Sequence, residues 1–463
     1  MNSPARPHAH RALAAAIAAL LVLPLNAQAK DPSQQSLEAR IQQLEAELAA
    51  IKQEIRAQRH AVEQVAQQAA APPAAPPAPR EEPKSAVFTT AKGVSVALHG
   101  LINASAFSQN RSFSFGNGQS AQYPVPGASG TLSGFDIRNT RFWLDFTGAQ
   151  LNESWDGGGR IEMDFFGGFN GSGPYSHQQP VPRLRQAWLD IANPGMGSRI
   201  RIGQQWDLMF PVDVLPTSPT HVSFPLGFGN GFVGWRFPGV VWMQDVDLGS
   251  GSAKWRFDVG AFEGSWNGPG ATTNYLTGGN VDFQPQIEAR VRAAGSNWVA
   301  FVAGRYSKID LRGVDGTAAT PVKSSVDSSG MQVGGQWTPG AWVLKGLLYT
   351  GNGQGQIFGN LAQFGDIGES GGFVQVGYKF DPHWNINAFY ATSKSDRADV
   401  VAWQGNGASG LLKSRQAALS LIYASGPYQL GIEWMHDQLD SLNAGALRKT
   451  SGNQLSASAQ YTF

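Results

Sequence analysis

Residues 160–165 read Arg-Ile-Glu-Met-Asp-Phe, and that order constrains the fold more than any other feature of the chain. Successive side chains of an extended strand point to opposite faces. Ile161, Met163 and Phe165 therefore share one face, while Arg160, Glu162 and Asp164 share the other. The pattern recurs. Phe142, Leu144 and Phe146 oppose Arg141 and Asp145; Trp255, Phe257 and Val259 oppose Lys254, Arg256 and Asp258; Ile287, Val291 and Ala293 oppose Glu288, Arg290 and Arg292. A dry core cannot hold so many ions unless each is paired or neutralised. A water-filled lumen can, and the apolar faces then meet hydrocarbon, where every backbone group must be paired within a closed barrel.

Sixteen segments of this kind can be marked between residues 94 and 463, beginning with 94–108, 136–149 and 159–168 and ending with 428–440 and 449–463. Most are about nine to fifteen residues long, a length suited to tilted strands that cross a bilayer. Tight turns such as NPGMG, AGS, TPG and SGP alternate with long links at 109–135, 169–182, 207–232, 264–283, 311–325, 351–370 and 396–410. Only the second-to-third connection is loose. Short turns at one end and long loops at the other are the rhythm of an up-and-down transmembrane barrel, not of a Greek-key sandwich. Trp298, Trp342, Trp384 and Tyr428 near segment ends suit aromatic girdles. The final segment ends in Gln-Tyr-Thr-Phe463, and its terminal aromatic resembles the assembly signal of bacterial outer-membrane barrels.

The composition agrees. Charged residues are 15%, glycine numbers 56, the net charge is +1 and cysteine is absent. Disulfide frameworks, thiolate metal sites and cysteine nucleophiles are thereby excluded, and no charge excess points to nucleic acid. Arg6 and Arg11, the apolar run Ala12–Leu23 and Ala27-Gln28-Ala29 predict a secretory signal over 1–29. Leu37, Ile41, Leu44, Leu48, Ile51, Ile55, Val62 and Val65 then fall at steps of four and three, with Gln58 in the one gap. These predict an α-helical coiled-coil stalk over 30–70, whose mixed Ile and Leu seam permits a trimer. A Pro/Ala-rich linker, 71–86, comes next as an extended spacer. The remainder, 87–463, is predicted to be all-β: a 16-stranded antiparallel transmembrane barrel.

Two segments carry the functional expectation. Val181–Gln205 holds four arginines and one acid, Asp190, a surplus of three positive charges. Alternation places Arg183 and Arg185, opposite Leu184 and Trp188, and Arg199, Arg201 and Gln205, opposite Ile200, Ile202 and Trp206, on the lumen faces of adjacent strands. Arg141, Arg160, Arg290 and Arg292 join them as pore-lining candidates. Next, 207–232 is Pro- and Gly-rich yet apolar, with Phe210, Val214, Leu215, Phe224 and Phe228. An irregular loop of that length is usually functional, and its composition calls for packing on the barrel wall or at a subunit contact. An arginine ladder facing Asp207 and Asp213 would favour anions, unless the arginines pair with Glu162, Asp164 and Asp190 and only solvate the wall.

The signal, stalk, spacer and sixteen segments together resemble the DcaP-like trimeric porins of Gram-negative outer membranes. The blocks IEMDFFGG (161–168), RLRQAWLDI (183–191) and RIGQQWDLMFP (201–211) are similar to that family's third to fifth strands. The resemblance implies a homotrimer in outer-membrane lipid with its stalk in the periplasm. It implies diffusion of small anionic solutes such as dicarboxylates, with 207–232 folded inward as a constriction. No cofactor, metal or nucleic-acid partner is expected: the histidines lack ligand spacing, and no P-loop pattern occurs, so no enzymatic role is read. The other reading is a structural or adhesive outer-membrane protein that works through its stalk.

Overall fold

The computed structural model describes Gln53 and residues 87–89, 93–169, 178–249, 251–263, 284–310, 323, 325–404 and 410–463. The expected signal peptide, the linker and, but for Gln53, the coiled-coil stalk lie outside the described residues.

Among the described residues, eighteen strands form one sheet. A short β1 (Val87–Thr89) lies on the first residues of β2 (Ser95–Phe113). Then come β3 (Pro124–Asp136), β4 (Arg141–Asn152), β5 (Trp155–Asp164), β6 (Arg183–Asn193), β7 (Ser198–Trp206), β8 (Arg236–Val246) and β9 (Lys254–Phe262). The second half holds β10 (Gln286–Ala294), β11 (Trp298–Asp310), β12 (Ser325–Trp337), β13 (Trp342–Asn352), β14 (Gly368–Lys379), β15 (Trp384–Ser395), β16 (Leu411–Ser425), β17 (Tyr428–Asn443) and β18 (Ala446–Thr462). One helix, α1 (Arg397–Gln404), sits in the link before β16.

From β4 onward each strand pairs antiparallel with the next, and β18 returns to β2 with Tyr461 opposite Ile102 and Ala457 opposite Ala106. β3 and β4 take successive halves of β2. They are one stave broken at 137–140, so setting aside β1 the barrel has sixteen staves and closes on itself. Beyond the last stave, Phe463 exchanges both backbone hydrogen bonds with Gly100 at 2.9 Å.

Apolar residues face outward along every wall, for example Leu184, Val240, Val302, Leu348, Leu419 and Leu455. Their strand neighbours face inward. In β17, Ile432 is 54% exposed and the adjacent Glu433 is 1% exposed. Across β2 and β18 the inward groups are amides and hydroxyls, with Asn103, Ser105 and Ser458 joined by hydrogen bonds of 3.0–3.2 Å.

Three local readings are corrected. The link expected at 109–135 is largely strand, because β2 runs on to Phe113 and β3 pairs back on it. The loose second-to-third connection is a tight turn at Glu153-Ser154, where the Asn152 side chain accepts from the amides of Ser154 and Trp155. A bulge lies in β6, where Glu162 pairs with Gln186 but Met163 pairs with Leu184. The extra residue, Arg185, puts Arg185 and Gln186 both inward and re-phases the remainder of the strand, so Trp188 faces inward rather than outward. Gln204 from β7 donates to the carbonyls of Leu184 and Arg185 at 3.3 and 2.9 Å, satisfying groups that the bulge frees from the ladder.

Candidate functional site: the lumen and its inward loop

The loop between β7 and β8, 207–235, folds into the barrel and is tied to the wall on nearly every side. At its neck the Asp207 carboxylate accepts from the amides of Phe210 (2.7 Å) and Trp235 (3.1 Å). Burial first, then repulsion from the Glu288 carboxylate, holds the Asp207 carboxyl well above the usual range. Glu288 of β10 accepts from Leu208 N at 2.6 Å, and Gln332 of β12 donates to Met209 O at 2.7 Å. Arg292 of β10 meets Asp213 at 3.0 Å. Lys345 of β13 donates to Leu215 O at 2.7 Å, and the Gln375 amide of β14 brackets the Thr217 backbone at 2.7 and 2.8 Å.

The far side is tied in the same manner. His221 Nδ1 lies 2.7 Å from Glu433 of β17, Thr220 Oγ1 lies 2.8 Å from Ser456 of β18, and Gly227 N donates to Gln416 of β16 at 2.7 Å. Asn139, in the break between β3 and β4, donates to Thr220 O and accepts from Ser223 N at 2.6 and 3.0 Å.

The loop's apolar side chains fill the space so enclosed. Met209, Phe210, Val214, Phe228 and Phe232 are at most 1% exposed and pack on wall residues Phe301, Leu347, Phe373 and Phe389. Phe210 stacks on Trp206 with ring centroids 3.6 Å apart. Trp206 thus turns inward at the end of β7, opposite to the face its alternation predicts. Along β11–β15 the interior is filled by the loop and its apolar side chains.

Open space remains on the other side. A cavity of about 1000 Å³ lies between the loop and the wall of β4–β7. Five of the arginines expected in the lumen line it: Arg141, Arg160, Arg185, Arg199 and Arg201. Arg183, Gln205, Asp207, Asp213, Arg290 and Arg292 do not line it. Arg183 sits above, bidentate to Asp164 at 3.0 and 2.7 Å and flanked by Phe166, Phe224 and Trp235. Gln205 is buried against the Arg201 and Gly239 carbonyls, Arg290 pairs with Asp258 at 2.8 Å, and Asp207 faces the loop's own backbone.

The arginines do not form a bare ladder. Arg160 is bidentate to Asp145 (2.7 and 2.8 Å) and Arg201 is bidentate to Asp190 (2.7 and 2.9 Å). Arg185 bridges Glu162 (2.5 Å) and Asp164 (2.7 Å). Arg201 also lies 3.6 Å over the Trp188 ring, which is why the bulge matters to the site. Arg199 is held most loosely, 3.6 Å from Asp190 with half its side chain exposed. The cavity lining holds five arginines and four carboxylates, Asp145, Asp156, Glu162 and Asp190, a surplus of one positive charge. The loop side contributes Phe210, Val212, Leu215, Val222, Ser223 and Pro225, which carry none.

Sequence reasoning missed Arg236 at the start of β8, which is 5% exposed and packed 4.8 Å over Trp206 and 4.4 Å over Trp235. It lies next to the loop in sequence, but nothing in the alternation marks a cation held by two indoles. Among the described residues no cluster of His, Asp and Glu is arranged to hold a metal ion.

No protein-family model and no curated protein sequence matches this chain. Solved structures do. The outer membrane channel DcaP of Acinetobacter baumannii superposes with a TM-score of 0.61 at 18% identity, covering 82% of this chain and 100% of that one. Salmonella typhi OmpF, in complex with daunomycin, gives 0.51 at 13% identity over 82% of this chain and 100% of that one. An anion-selective porin from Comamonas acidovorans gives 0.50 at 15% over 80% and 100%. The chain has a porin-like β-barrel fold.

Proposed function

We propose, starting from that fold, that the chain is an outer-membrane porin through which small hydrophilic solutes diffuse, anions more readily than cations. The observation that carries the reading is the cavity between β4–β7 and the inward loop, with paired arginines on one side and uncharged residues on the other. The loop packs against the wall along β11–β15, so the proposed path of a solute runs along the arginine wall. The low-dielectric loop face concentrates the wall's field on that path.

Pairing sets the character of the path. A guanidinium has five N–H donors and a bidentate carboxylate takes two, so Arg160 and Arg201 keep donors for a passing anion. Their fixed carboxylate partners prevent a deep trap, and conduction requires binding weak enough to release. Arg199 at the turn end is the most available cation. Dicarboxylates are the proposed solute class, on the DcaP-like resemblance and on the fit of carboxylate to guanidinium. A homotrimer, with residues 30–70 as a periplasmic coiled coil and the barrel in the outer membrane, is part of the same proposal. Single-channel recording in a planar bilayer tests it. A porin conducts constitutively, and its zero-current potential in a salt gradient has the sign of anion selectivity; a non-conducting barrel refutes the proposal, and a cation-selective one refutes the anion preference.

A further inference from the structure

The lipid-facing wall has a feature that passage through the lumen does not use. At the long-loop end of β15–β18, cross-strand partners fall in one row: Lys394 opposite Lys413, Lys413 opposite Asp440, and Asp440 opposite Lys449. These positions share parity with outward-facing Tyr390, Leu419, Trp434 and Leu455. Arg415, two residues from Lys413 along β16, already claims Asp440 at 3.2 Å. Among the described residues, Lys394, Lys413 and Lys449 have no acidic partner within 4.0 Å. Like charges set directly opposite on a sheet cost stability, so the row is poised for an anion from outside the chain.

A groove of about 540 Å³ opens beside Lys394 and Lys413 and runs toward the apolar band between Leu348 and Tyr390. Its floor is bare backbone at Gly372, where a Cβ would lie 2.4 Å from the Leu347 carbonyl oxygen. Leu348 is 67% exposed and Val374 50%. An apolar slot that ends under unpaired ammonium groups matches an amphiphile with an acyl chain and an anionic head.

We infer that this face holds a phosphorylated glycolipid of the outer leaflet, of the bisphosphorylated lipid A type, with phosphate on Lys394, Lys413 and Lys449 and an acyl chain along Leu348, Gly372 and Tyr390. A single carboxylate would be outmatched by a row that carries three lysines and Arg415 against one Asp. The inference rests on the porin reading for the orientation of the long loops toward the outer leaflet.

The test uses the full chain, delipidated in detergent, with bisphosphoryl lipid A, monophosphoryl lipid A and phosphatidylethanolamine as probes and native mass spectrometry as readout. Expected is retention of bisphosphoryl lipid A above both others, weakening with salt. The triple variant Lys394→Gln/Lys413→Gln/Lys449→Gln loses about fivefold in affinity per lysine, while Tyr390→Ser weakens all three lipids without removing the preference among them. Equal retention of the three lipids, or an unchanged preference in the triple variant, overturns the site. Loss of the oligomer in place of loss of lipid also overturns it, since the face would then be a subunit contact. Channel conductance of the same samples separates the two readings: a conducting protein that ignores lipid A refutes only the lipid site, and a silent one refutes the porin.

Discussion

Reversing Arg199 and Arg201 together to Glu changes the cavity lining from one surplus positive charge to three surplus negative ones, a swing of four. At about 6 Å in water each unit charge acts on a monovalent ion with roughly 0.7 kcal/mol. A Debye length near 10 Å at 0.1 M salt cuts this by about half. Four charges then raise the barrier for an anion by about 1.5 kcal/mol and lower it for a cation by as much. The anion-to-cation permeability ratio should fall by about a hundredfold at the wall and at least tenfold averaged along the pore. The assay is the zero-current potential in a tenfold salt gradient, whose sign should invert. Arg199→Gln/Arg201→Gln removes half the swing and should give an intermediate value. Arg292→Gln, whose guanidinium is engaged with Asp213 outside the cavity, should leave the potential near that of the parent. If Arg292→Gln moves selectivity as far as the double reversal, or the double reversal leaves the sign unchanged, the path does not run along β4–β7 and the assignment is wrong.

The loop and the wall can be probed separately. Asp207→Ala strands two buried amides, at about 1–3 kcal/mol each, and should loosen the loop neck, seen as larger and noisier single-channel conductance; a quiet channel of parental size would show that Asp207 does not hold it. The Asp207 carboxyl is raised in the folded chain, so its contribution favours the folded neck in acid. That contribution weakens as pH rises above the ordinary carboxylate range toward the raised value. Open-channel noise should accordingly grow with pH in the parent and lose that dependence in Asp207→Asn. Ile432→Arg sets a cation in the apolar band of β17 and should cost about 2–4 kcal/mol in urea unfolding from vesicles, and parental stability would contradict its placement against lipid.

Much of this architecture is written in alternation, and the exceptions have physical causes. The outward faces were legible because they are apolar at every second residue, as at Ile161 and Ile287. β3 was not, because its Gly- and Ser-rich residues have little strand preference of their own and pair through a neighbour already committed to the barrel. Trp188 was placed on the wrong face because one inserted residue, Arg185, is invisible to a period-two count. The filled interior left a signal in retrospect: around Phe301, Leu347, Phe373 and Phe389 both faces of the strand are apolar, which a wet lumen would not select. The pairing of the arginines was not legible, since their partners lie across strands. Arg183 and Asp164, for example, are 19 residues apart in the chain.

The inward loop precedes most of its anchors in the chain. Glu433, Gln416 and Ser456 belong to the last three staves, and each binds a residue of 220–227. Such distant contacts slow folding, because loop-closure entropy is paid before they form. Sealing the seam of β18 on β2 and anchoring the loop both require the last staves to be in place. A barrel without β16–β18 would leave residues 220–227 without these partners and expose part of the apolar cluster that Ala418 and Met435 help to cover.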